Sequence, residues 1–292
     1  MKSSLPFTKM HGLGNSYVYI DCRLHDLQEE EIPELAQFLS SPSRGIGSDG
    51  IILICLSEKA DLKMRIFNKD GSEGKNCGNG LRCVAAYAHH NGIIAHKTLS
   101  IETLSGIVFA TICHTNQNQT QVSVNMGRPR LLRKEIPMIG PENDTIIAES
   151  FQLNSENLSL TAVSMGNPHA VFFVAGSKGS KHDLHLSLGP KIENDKRFPE
   201  KINVEFVTVE SPHSLRCRVW ERGSGATQAC GTGACASAVA AILNGHSAKG
   251  HNIDVHLDGG CLQVCWKEDG DVWMAGPAQT VAAGVIFIPQ SL

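Results

Sequence analysis

The sequence has few aromatic residues, almost no excess of charge of either sign and no long apolar run. Aromatic residues make up 5% of the 292 residues, and 26 Lys and Arg against 29 Asp and Glu leave a formal net charge of −3. Basic side chains are not clustered with aromatic ones, so we expect no nucleic-acid partner. The longest apolar stretches, residues 234–243 and 281–289, are far shorter than the roughly 20 residues that cross a bilayer. We therefore expect no membrane association.

The start of the chain lacks the pattern of a secretion signal, because no apolar segment followed by a small-residue cleavage site occurs there. We therefore expect a cytoplasmic protein whose ten cysteines are reduced thiols rather than a disulfide framework. Neither Cys-x-x-Cys nor His-Glu-x-x-His occurs, so we expect no metal site. A content of 41% hydrophobic residues is typical of a globular protein, and the length predicts two domains.

An internal repeat is the most informative feature of the sequence. Residues 153 positions apart match repeatedly, and the matches centre on a Cys-Gly-x-Gly element that occurs twice. Such recurrence at one fixed offset indicates a duplicated domain. The matched pairs are Arg65 and Arg218, Cys77 and Cys230, Gly78 and Gly231, Gly80 and Gly233, Ala85 and Ala238, Ala88 and Ala241, Asn91 and Asn244, Gly92 and Gly245, Leu104 and Leu257, and Gly106 and Gly259.

Each copy predicts the same local structure. Alternating residues, 62–67 in one copy and 215–220 in the other, predict a strand that precedes a Gly-rich loop. Cys-Gly-x-Gly then opens a helix that ends at Asn-Gly, and a second β segment follows. The helix of residues 234–243 carries no charge on any side and must therefore be enclosed. The pattern therefore predicts a small-residue helix wrapped by its own curved sheet.

The boundary between the copies is predicted near residue 125, where the first β pattern ends. Gly276 and Pro277 form a predicted break at which the chain returns to the first domain, with one more strand at residues 281–289. We thus predict a first domain of residues 1–125 and 277–292, which carries Cys77. The second domain is predicted to cover residues 126–276 and to carry Cys230.

The repeated cysteines are the predicted reactive groups. A thiol at a helix N-terminus is expected to have a lowered pKa, and the adjoining backbone N–H groups can hold a carboxylate. If the two domains face each other across a cleft, Cys77 and Cys230 can serve opposite faces of one carbon. That arrangement suits inversion of a stereocentre, with one cysteine removing a proton and the other returning one. The other eight cysteines are expected to be small core residues.

Three further segments have alternative interpretations. Residues 45–50 match the dinucleotide fingerprint, but an apolar strand follows them where a helix is required, so we reject a cofactor loop. His169 follows Gly-Asn-Pro, residues typical of a turn, at the start of a predicted strand. A turn there can present the His169 side chain at a cleft. Glu221 and Arg222 can form a surface ion pair or can recognise a zwitterion.

Taken together, these motifs closely resemble the diaminopimelate epimerase family over nearly the whole chain. The matching segments are residues 7–15, 67–73 and 77–83, Gly-Asn-Pro-His at 166–169, and residues 221–233. The resemblance implies an α+β fold of two similar domains, each a rolled, barrel-like, mostly antiparallel sheet around a central helix. It further implies an active site in the cleft between the domains, and a homodimer. It also implies conversion of L,L-2,6-diaminopimelate to the meso form without pyridoxal phosphate, metal or other cofactor, in the route to lysine and peptidoglycan.

By the same resemblance, Cys77 and Cys230 are the acid/base pair, and His169 and Glu221 tune them. The substrate-binding positions that it implies are Gly78, Asn79, Gly231 and Thr232 for the reacting carboxylate, and Asn15, Asn68, Asn167, Asn203, Glu221 and Arg222 for the ammonium groups and the distal carboxylate.

Two departures and two alternatives accompany the resemblance. Gly50 stands where many members have a substrate-facing Gln, and residues 280–284 lack a Tyr that some members use at the dimer interface. A related racemase of proline, hydroxyproline or histidine would share the cysteine pair but would not require Arg222 and the Asn set. A non-catalytic binding protein on this fold is the other alternative, and the retention of both Cys-Gly-x-Gly elements argues against it.

Overall fold

The computed structural model describes residues 4–74, 77–116, 119–154, 156–174 and 183–289. The chain divides into two compact units, residues 1–124 with 275–292 and residues 125–274. Across the ranges just given, no helix combines the length and apolarity needed to cross a membrane.

Within the described residues, strands make up most of the regular structure, with five α-helices between them. Short 3-10 turns at Glu29–Glu31 and Arg133–Glu135 complete the elements. In chain order the strands and helices are β1 (Ser4–Gly12), β2 (Asn15–Asp21), α1 (Ile32–Ser40), β3 (Gly50–Cys55), β4 (Leu62–Asn68), β5 (Glu73–Gly74), α2 (Gly78–His90), β6 (Thr98–Thr103), β7 (Gly106–Thr115), β8 (Gln119–Asn125), β9 (Glu149–Leu153), β10 (Glu156–Ser164), β11 (Pro168–Phe173), α3 (Leu184–Ser187), α4 (Gly189–Glu193), β12 (Asn203–Ser211), β13 (Ser214–Glu221), β14 (Gly225–Thr227), α5 (Gly231–Leu243), β15 (Asn252–Leu257), β16 (Gly260–Trp266) and β17 (Val272–Phe287).

The strands of the first unit close into an eight-stranded barrel. The ring runs β17, β1, β2, β3, β4, β6, β7 and β8, and β8 pairs again with β17. The pairs β2 with β3 and β4 with β6 are parallel. Parallel neighbours need a crossover connection, and α1 and α2 lie in those two crossovers. This arrangement confirms the predicted α+β class with rolled, mostly antiparallel sheets.

The second unit repeats the same order of strand pairs. Antiparallel β10 with β11, parallel β11 with β12, antiparallel β12 with β13, parallel β13 with β15 and antiparallel β15 with β16 follow one another. The register repeats as well. Leu53 pairs with Arg65 in the first unit, and Phe206 pairs with Arg218 in the second, each residue 153 positions later. The duplication is therefore present in the hydrogen-bonded ladders as well as in the sequence.

Each unit encloses one helix within its own sheet. Helix α5 packs against β10 to β13, β15 and β16, and α2 packs against β1, β4 and β7. Residues 233–241 of α5 are all buried, which confirms the expectation for a helix without charge. Both helices end alike, because Asn91 and Asn244 cap them and Gly92 and Gly245 follow with φ of +62° and +73°. Glycine adopts this left-handed conformation at little cost, which explains the Asn-Gly stop.

The structure adds two details of the chain path. The hairpin after each helix turns at Thr103 paired with Gly106 and at Leu257 paired with Gly260, an offset of 154 where the repeat in the sequence is 153. β17 runs without interruption through residues 276 and 277, and the chain passes from the second unit to the first at residue 275. Proline is tolerated where the ladder does not need its N–H. Pairing of β17 with β1 begins beyond it, at Gln279.

The cysteines expected in the core fall into three groups. Cys83, Cys217 and Cys235 are fully buried, as predicted. Cys113 and Cys261 are exposed, so the prediction was wrong for them, since their side chains lie on the outer face of their strands. The half-buried ones are Cys22, Cys55 and Cys265.

Candidate active site

Cys77 is the N-cap residue of α2 in the first unit. Its backbone is extended, and its sulfur accepts a hydrogen bond from the Gly80 N–H at 3.4 Å. The first backbone N–H groups of a helix have no acceptor inside the helix, so the amides of Gly78 and Asn79 belong to an anion-binding terminus. The helix thus presents a thiol and a set of backbone donors at the same point.

A network of amide side chains surrounds Cys77. The Cys77 thiol donates to Asn15 Oδ1 at 3.5 Å, and Asn79 Nδ2 donates to the same oxygen at 3.2 Å. Asn15 in turn donates to Asp49 at 3.0 Å, which fixes the direction of its amide. Of the residues predicted for this unit, Asn15 and Asn79 are therefore joined to Cys77. Asn68 lies at the end of β4 and donates to Ser72 Oγ.

Arg82 and Asp49 were not identified from the sequence. Arg82 is fully buried within α2, donates to Asn79 Oδ1 at 2.8 Å and donates to the Pro277 carbonyl at 3.2 Å. A charged residue in an otherwise apolar helix was the available signal. A Cβ added at Gly12 would lie 2.6 Å from an Arg82 guanidinium nitrogen, so the chain approaches this group closely.

The structure explains why position 50 is occupied by glycine. A Cβ at this position would overlap the carbonyl oxygen of Phe67 and would lie 3.0 Å from the Tyr17 ring. Tyr17 is buried, and burial, followed by the nearby Cys77, raises its pKa. The close approach of β4 therefore leaves no room for a longer side chain at Gly50.

Cys230 occupies the equivalent place in the second unit. It is the N-cap of α5, and its sulfur accepts from the Gly233 N–H at 3.3 Å. The Thr232 hydroxyl lies 3.4 Å from the same sulfur. Asn167 donates to that hydroxyl at 3.3 Å. Cys230 is 5% exposed, whereas Cys77 is half-buried, so the two thiols have different surroundings.

A buried His–Glu pair supports this cluster. His169 Nδ1 lies 2.6 Å from Glu205 Oε1, and both side chains are fully buried. His169 Nε2 lies 3.1 Å from Asn167 Oδ1. Because that amide oxygen can only accept, Nε2 carries a hydrogen. A chain of contacts thus runs from Glu205 through His169, Asn167 and Thr232 to Cys230.

Glu205 was missed at the level of sequence, although a charge inside the apolar run of residues 202–207 was a visible signal. Its carboxylate also lies beneath the first turn of α5, since a Cβ at Gly233 would lie 2.8 Å from Glu205 Oε1.

The remaining predicted residues of the second unit lie at the ends of β12 and β13. Glu221 accepts from the Thr227 hydroxyl, and it lies close enough to Cys230 for each of the two groups to shift the pKa of the other. Asn203 donates to the Pro168 carbonyl and accepts from the Arg222 backbone N–H at 2.9 Å. The Arg222 side chain is exposed and donates to the Glu200 carbonyl.

The expectation of a lowered pKa is wrong for Cys230. Burial, followed by the charges of Glu221 and Glu205, holds the pKa of this thiol well above its ordinary value. The Thr232 hydroxyl and the Gly233 N–H act in the opposite direction but are outweighed. Burial likewise raises the pKa of Glu221 above that of an exposed carboxyl group. Cys230 is therefore protonated at neutral pH.

Removing the Glu221 charge should lower the pKa of Cys230, because a neighbouring negative charge disfavours the thiolate. In Glu221→Gln, the rate of Cys230 alkylation by iodoacetamide, followed by peptide mass spectrometry against pH, should rise at lower pH than in the unaltered protein. Glu210→Gln, on the exposed end of β12, is the matched control and should leave the profile in place. A profile that stays in place or moves to higher pH in Glu221→Gln would contradict this assignment.

Comparison with known proteins identifies the family. The family model for diaminopimelate epimerase matches residues 7–132 and 161–281. The chain is 55% identical over 284 residues to the diaminopimelate epimerase of Geobacillus kaustophilus (strain HTA426), which covers 97% of both chains. It is 56% identical over 286 residues to that of Bacillus velezensis (strain DSM 23117), which covers 98% of this chain and all of the relative. The chain belongs to the diaminopimelate epimerase family.

Membership of this family makes the protein an isomerase. A solved structure of a probable proline racemase from Agrobacterium radiobacter K84 matches with a TM-score of 0.70 at 16% identity, over 98% of this chain and 93% of that one. At this identity the match reports the fold, which the diaminopimelate epimerase family thus shares with such proteins.

Proposed function

We propose that the protein interconverts L,L- and meso-2,6-diaminopimelate by a two-base mechanism, in the cytoplasmic route to lysine and peptidoglycan. The proposal rests on one observation: in each unit a cysteine caps the N-terminus of the enclosed helix. Cys77 and Cys230 begin equivalent helices, and each sulfur accepts one backbone N–H, from Gly80 and Gly233. Relatives that are 55% and 56% identical over nearly the full chain bear the name diaminopimelate epimerase, which supports the choice of substrate.

The surroundings of the two thiols indicate which of them carries a proton in the resting enzyme. Cys230 holds its proton in the resting enzyme because burial and two carboxylates disfavour its thiolate. The two-base mechanism then requires Cys77 to act as the thiolate that removes the α-proton. Once protonated, its S–H donates to Asn15 Oδ1, an oxygen held in place by Asp49 through Asn15 Nδ2. Cys230 delivers its proton to the opposite face, and the reverse reaction exchanges the two roles.

Binding of the reacting carboxylate is assigned to the helix N-termini. The first backbone amides of α2 and α5, at Gly78, Asn79, Gly231 and Thr232, provide donors and the positive ends of two helix dipoles. When the α-proton leaves, negative charge develops on the carboxylate of the carbanionic state. The positive ends of the two helices stabilise that charge. The mechanism requires both thiols to reach one α-carbon.

Recognition of the other end of the substrate is assigned to the side chains that the family resemblance indicates. An Arg guanidinium suits a distal carboxylate, and amide and carboxylate oxygens suit an ammonium group. In the second unit, Glu205 hydrogen-bonds to His169, and Asn203 donates to the Pro168 carbonyl. These contacts fix the orientation of both side chains. The assigned side chains are Asn15, Asn68, Asn167, Asn203, Glu221 and Arg222.

The experiment that tests this function is a substrate panel with reduced enzyme and no added cofactor. L,L-diaminopimelate, proline, trans-4-hydroxyproline and histidine are incubated separately, and the stereoisomers are resolved by chiral chromatography. Formation of meso-diaminopimelate alone supports the proposal. Inversion of one of the other amino acids would replace it with a related racemase, and inversion of none would favour a non-catalytic binding protein.

A second copy of this chain is the proposed macromolecular partner. Three large apolar side chains in the second half of β17, Val281, Val285 and Phe287, are 54%, 57% and 78% exposed. Burying such a strip in a homodimer is favourable, and aliphatic and aromatic surface is typical of permanent interfaces. Sedimentation equilibrium should give twice the mass of 31.5 kDa, and Val285→Glu should shift the protein to monomer. Leu104→Glu, an exposed turn position away from β17, is the control. A monomeric unaltered protein would contradict the proposal.

A further inference from the structure

Two cysteines outside the proposed active site are neighbours on adjacent strands. β2 and β3 are parallel, with Val18 paired with Ile51 and the register continuing to Asp21 with Ile54. Cys22 and Cys55 follow as the next pair, and the Cys22 N–H donates to the Ile54 carbonyl at 2.9 Å. Neighbouring strands lie about 4.8 Å apart, within the Cα separation of roughly 4.4–6.8 Å that a disulfide spans. Each of the two thiols shifts the pKa of the other, as expected for side chains that are close neighbours.

The charges around this pair make its two members unequal. Lys63 pairs with Cys55 across β3 and β4, and Arg65 lies two residues further along β4. The hydrogen bond from Cys22, followed by these two cations, lowers the pKa of Cys55, against the opposing effects of burial and Glu29. The same hydrogen bond, together with burial and Asp21, raises the pKa of Cys22. Cys55 is the nucleophile of the pair, and Cys22 is its proton-bearing neighbour.

Access distinguishes this pair from the enclosed cysteines. Cys22 and Cys55 are half-buried at the carboxyl ends of their strands, packed against the apolar cluster that includes Ile20 and Leu53. Cys83, Cys217 and Cys235, in contrast, are fully buried and have no contact with solvent. A thiol that is accessible, has a lowered pKa and stands beside a second thiol has the properties of a redox-reactive site.

We propose that Cys22 and Cys55 form a peroxide-reactive dithiol that closes to a disulfide. The Cys55 thiol loses its proton, and the thiolate attacks one oxygen of the peroxide, so that an S–O bond forms and the O–O bond breaks. The departing hydroxide takes up the proton that Cys55 lost and leaves as water. Cys55 becomes a sulfenic acid as the peroxide is reduced. The Cys22 sulfur then attacks the Cys55 sulfur, the S–O bond breaks, and the departing hydroxide takes the Cys22 proton. Two thiols and one peroxide give one disulfide and two waters.

The test uses the full-length reduced protein treated with one equivalent of hydrogen peroxide. Remaining thiols are blocked with iodoacetamide, and tryptic peptides are analysed by mass spectrometry. Cys22 and Cys55 lie in separate tryptic peptides, residues 10–23 and 45–59, and each peptide contains one cysteine. We expect a linked peptide that lacks two hydrogens, with loss of alkylation at both positions. The exposed Cys113 should stay alkylated at the same dose.

Two variants test the assigned order of events. In Cys22→Ser, the Cys55 sulfenic acid has no resolving thiol and should be trapped by dimedone. In Cys55→Ser, Cys22 should not be oxidised and should still be alkylated by iodoacetamide, because burial and Asp21 continue to raise its pKa after Cys55 is removed. Full alkylation of both cysteines at a dose that oxidises Cys113, or a link from Cys55 to any other cysteine, would overturn the proposal. None of these readouts depends on epimerase activity, so failure here is separate from failure of the proposed function.

Discussion

Replacing either Cys77 or Cys230 by alanine should abolish epimerisation in both directions. In the proposed mechanism, each variant removes the general acid or base for one face of the α-carbon, and such groups contribute about 10²–10⁴-fold to rate. Because a turnover needs both, we expect kcat to fall by at least about 10³-fold in each single variant. The double variant should be little slower than either single one, since residues that act as a unit are not additive.

Cys113→Ala is the matched control for these variants. Cys113 is exposed on β7 and lies outside both helix N-termini, so its replacement should leave kcat and KM unchanged. Far-ultraviolet circular dichroism should show that all the variants fold. If Cys77→Ala or Cys230→Ala kept near-normal turnover in both directions, the two-base account would be wrong.

Loss of the Glu205 carboxylate should destabilise the protein more than loss of any exposed acidic side chain. Glu205 and His169 are both fully buried and are joined at 2.6 Å. Removing one partner of a buried pair costs about 3–5 kcal/mol, because the other is left without compensation. We therefore expect Glu205→Ala to lower the free energy of unfolding by about that amount, measured by urea denaturation.

The same strand offers the control for this prediction. Glu210 also lies on β12, but it is exposed and pairs with Arg216 at the surface. Glu210→Ala should change the free energy of unfolding by no more than about 1 kcal/mol. Glu205→Gln keeps the size and a hydrogen-bonding oxygen, so its loss should be smaller than that of Glu205→Ala. Equal effects at residues 205 and 210 would show that the buried pair makes no special contribution.

Features set by local sequence and by the repeat were predictable. The helices α2 and α5 begin directly after Cys77 and Cys230, and both are followed by a positive-φ glycine. An enclosed α5 followed from its lack of charge, because a helix with no polar face has no side to present to water. The whole motif occurs twice, so each copy strengthened the interpretation of the other.

Features set by partners distant in the sequence were not predictable. The pairing partners of β17 are β1 and β8, which lie far from it in the sequence, and the strand continues through Pro277. Glu205 tolerates complete burial because the parallel register of β11 and β12, with His169 beside Asn203, supplies its partner. The pKa of Cys230 is likewise decided by burial and by carboxylates from other strands, which outweigh the local effect of the helix terminus.

The most direct test of the central claim is the fate of the α-hydrogen in heavy water. L,L-diaminopimelate is converted in deuterium oxide, and proton NMR follows substrate and product at low conversion. The two-base account predicts that every meso product carries deuterium at the inverted centre while recovered substrate keeps its hydrogen, because one cysteine removes the proton and the other supplies solvent deuterium. Deuterium in the substrate before any inversion, or hydrogen retained in the product, would contradict it and indicate a single base.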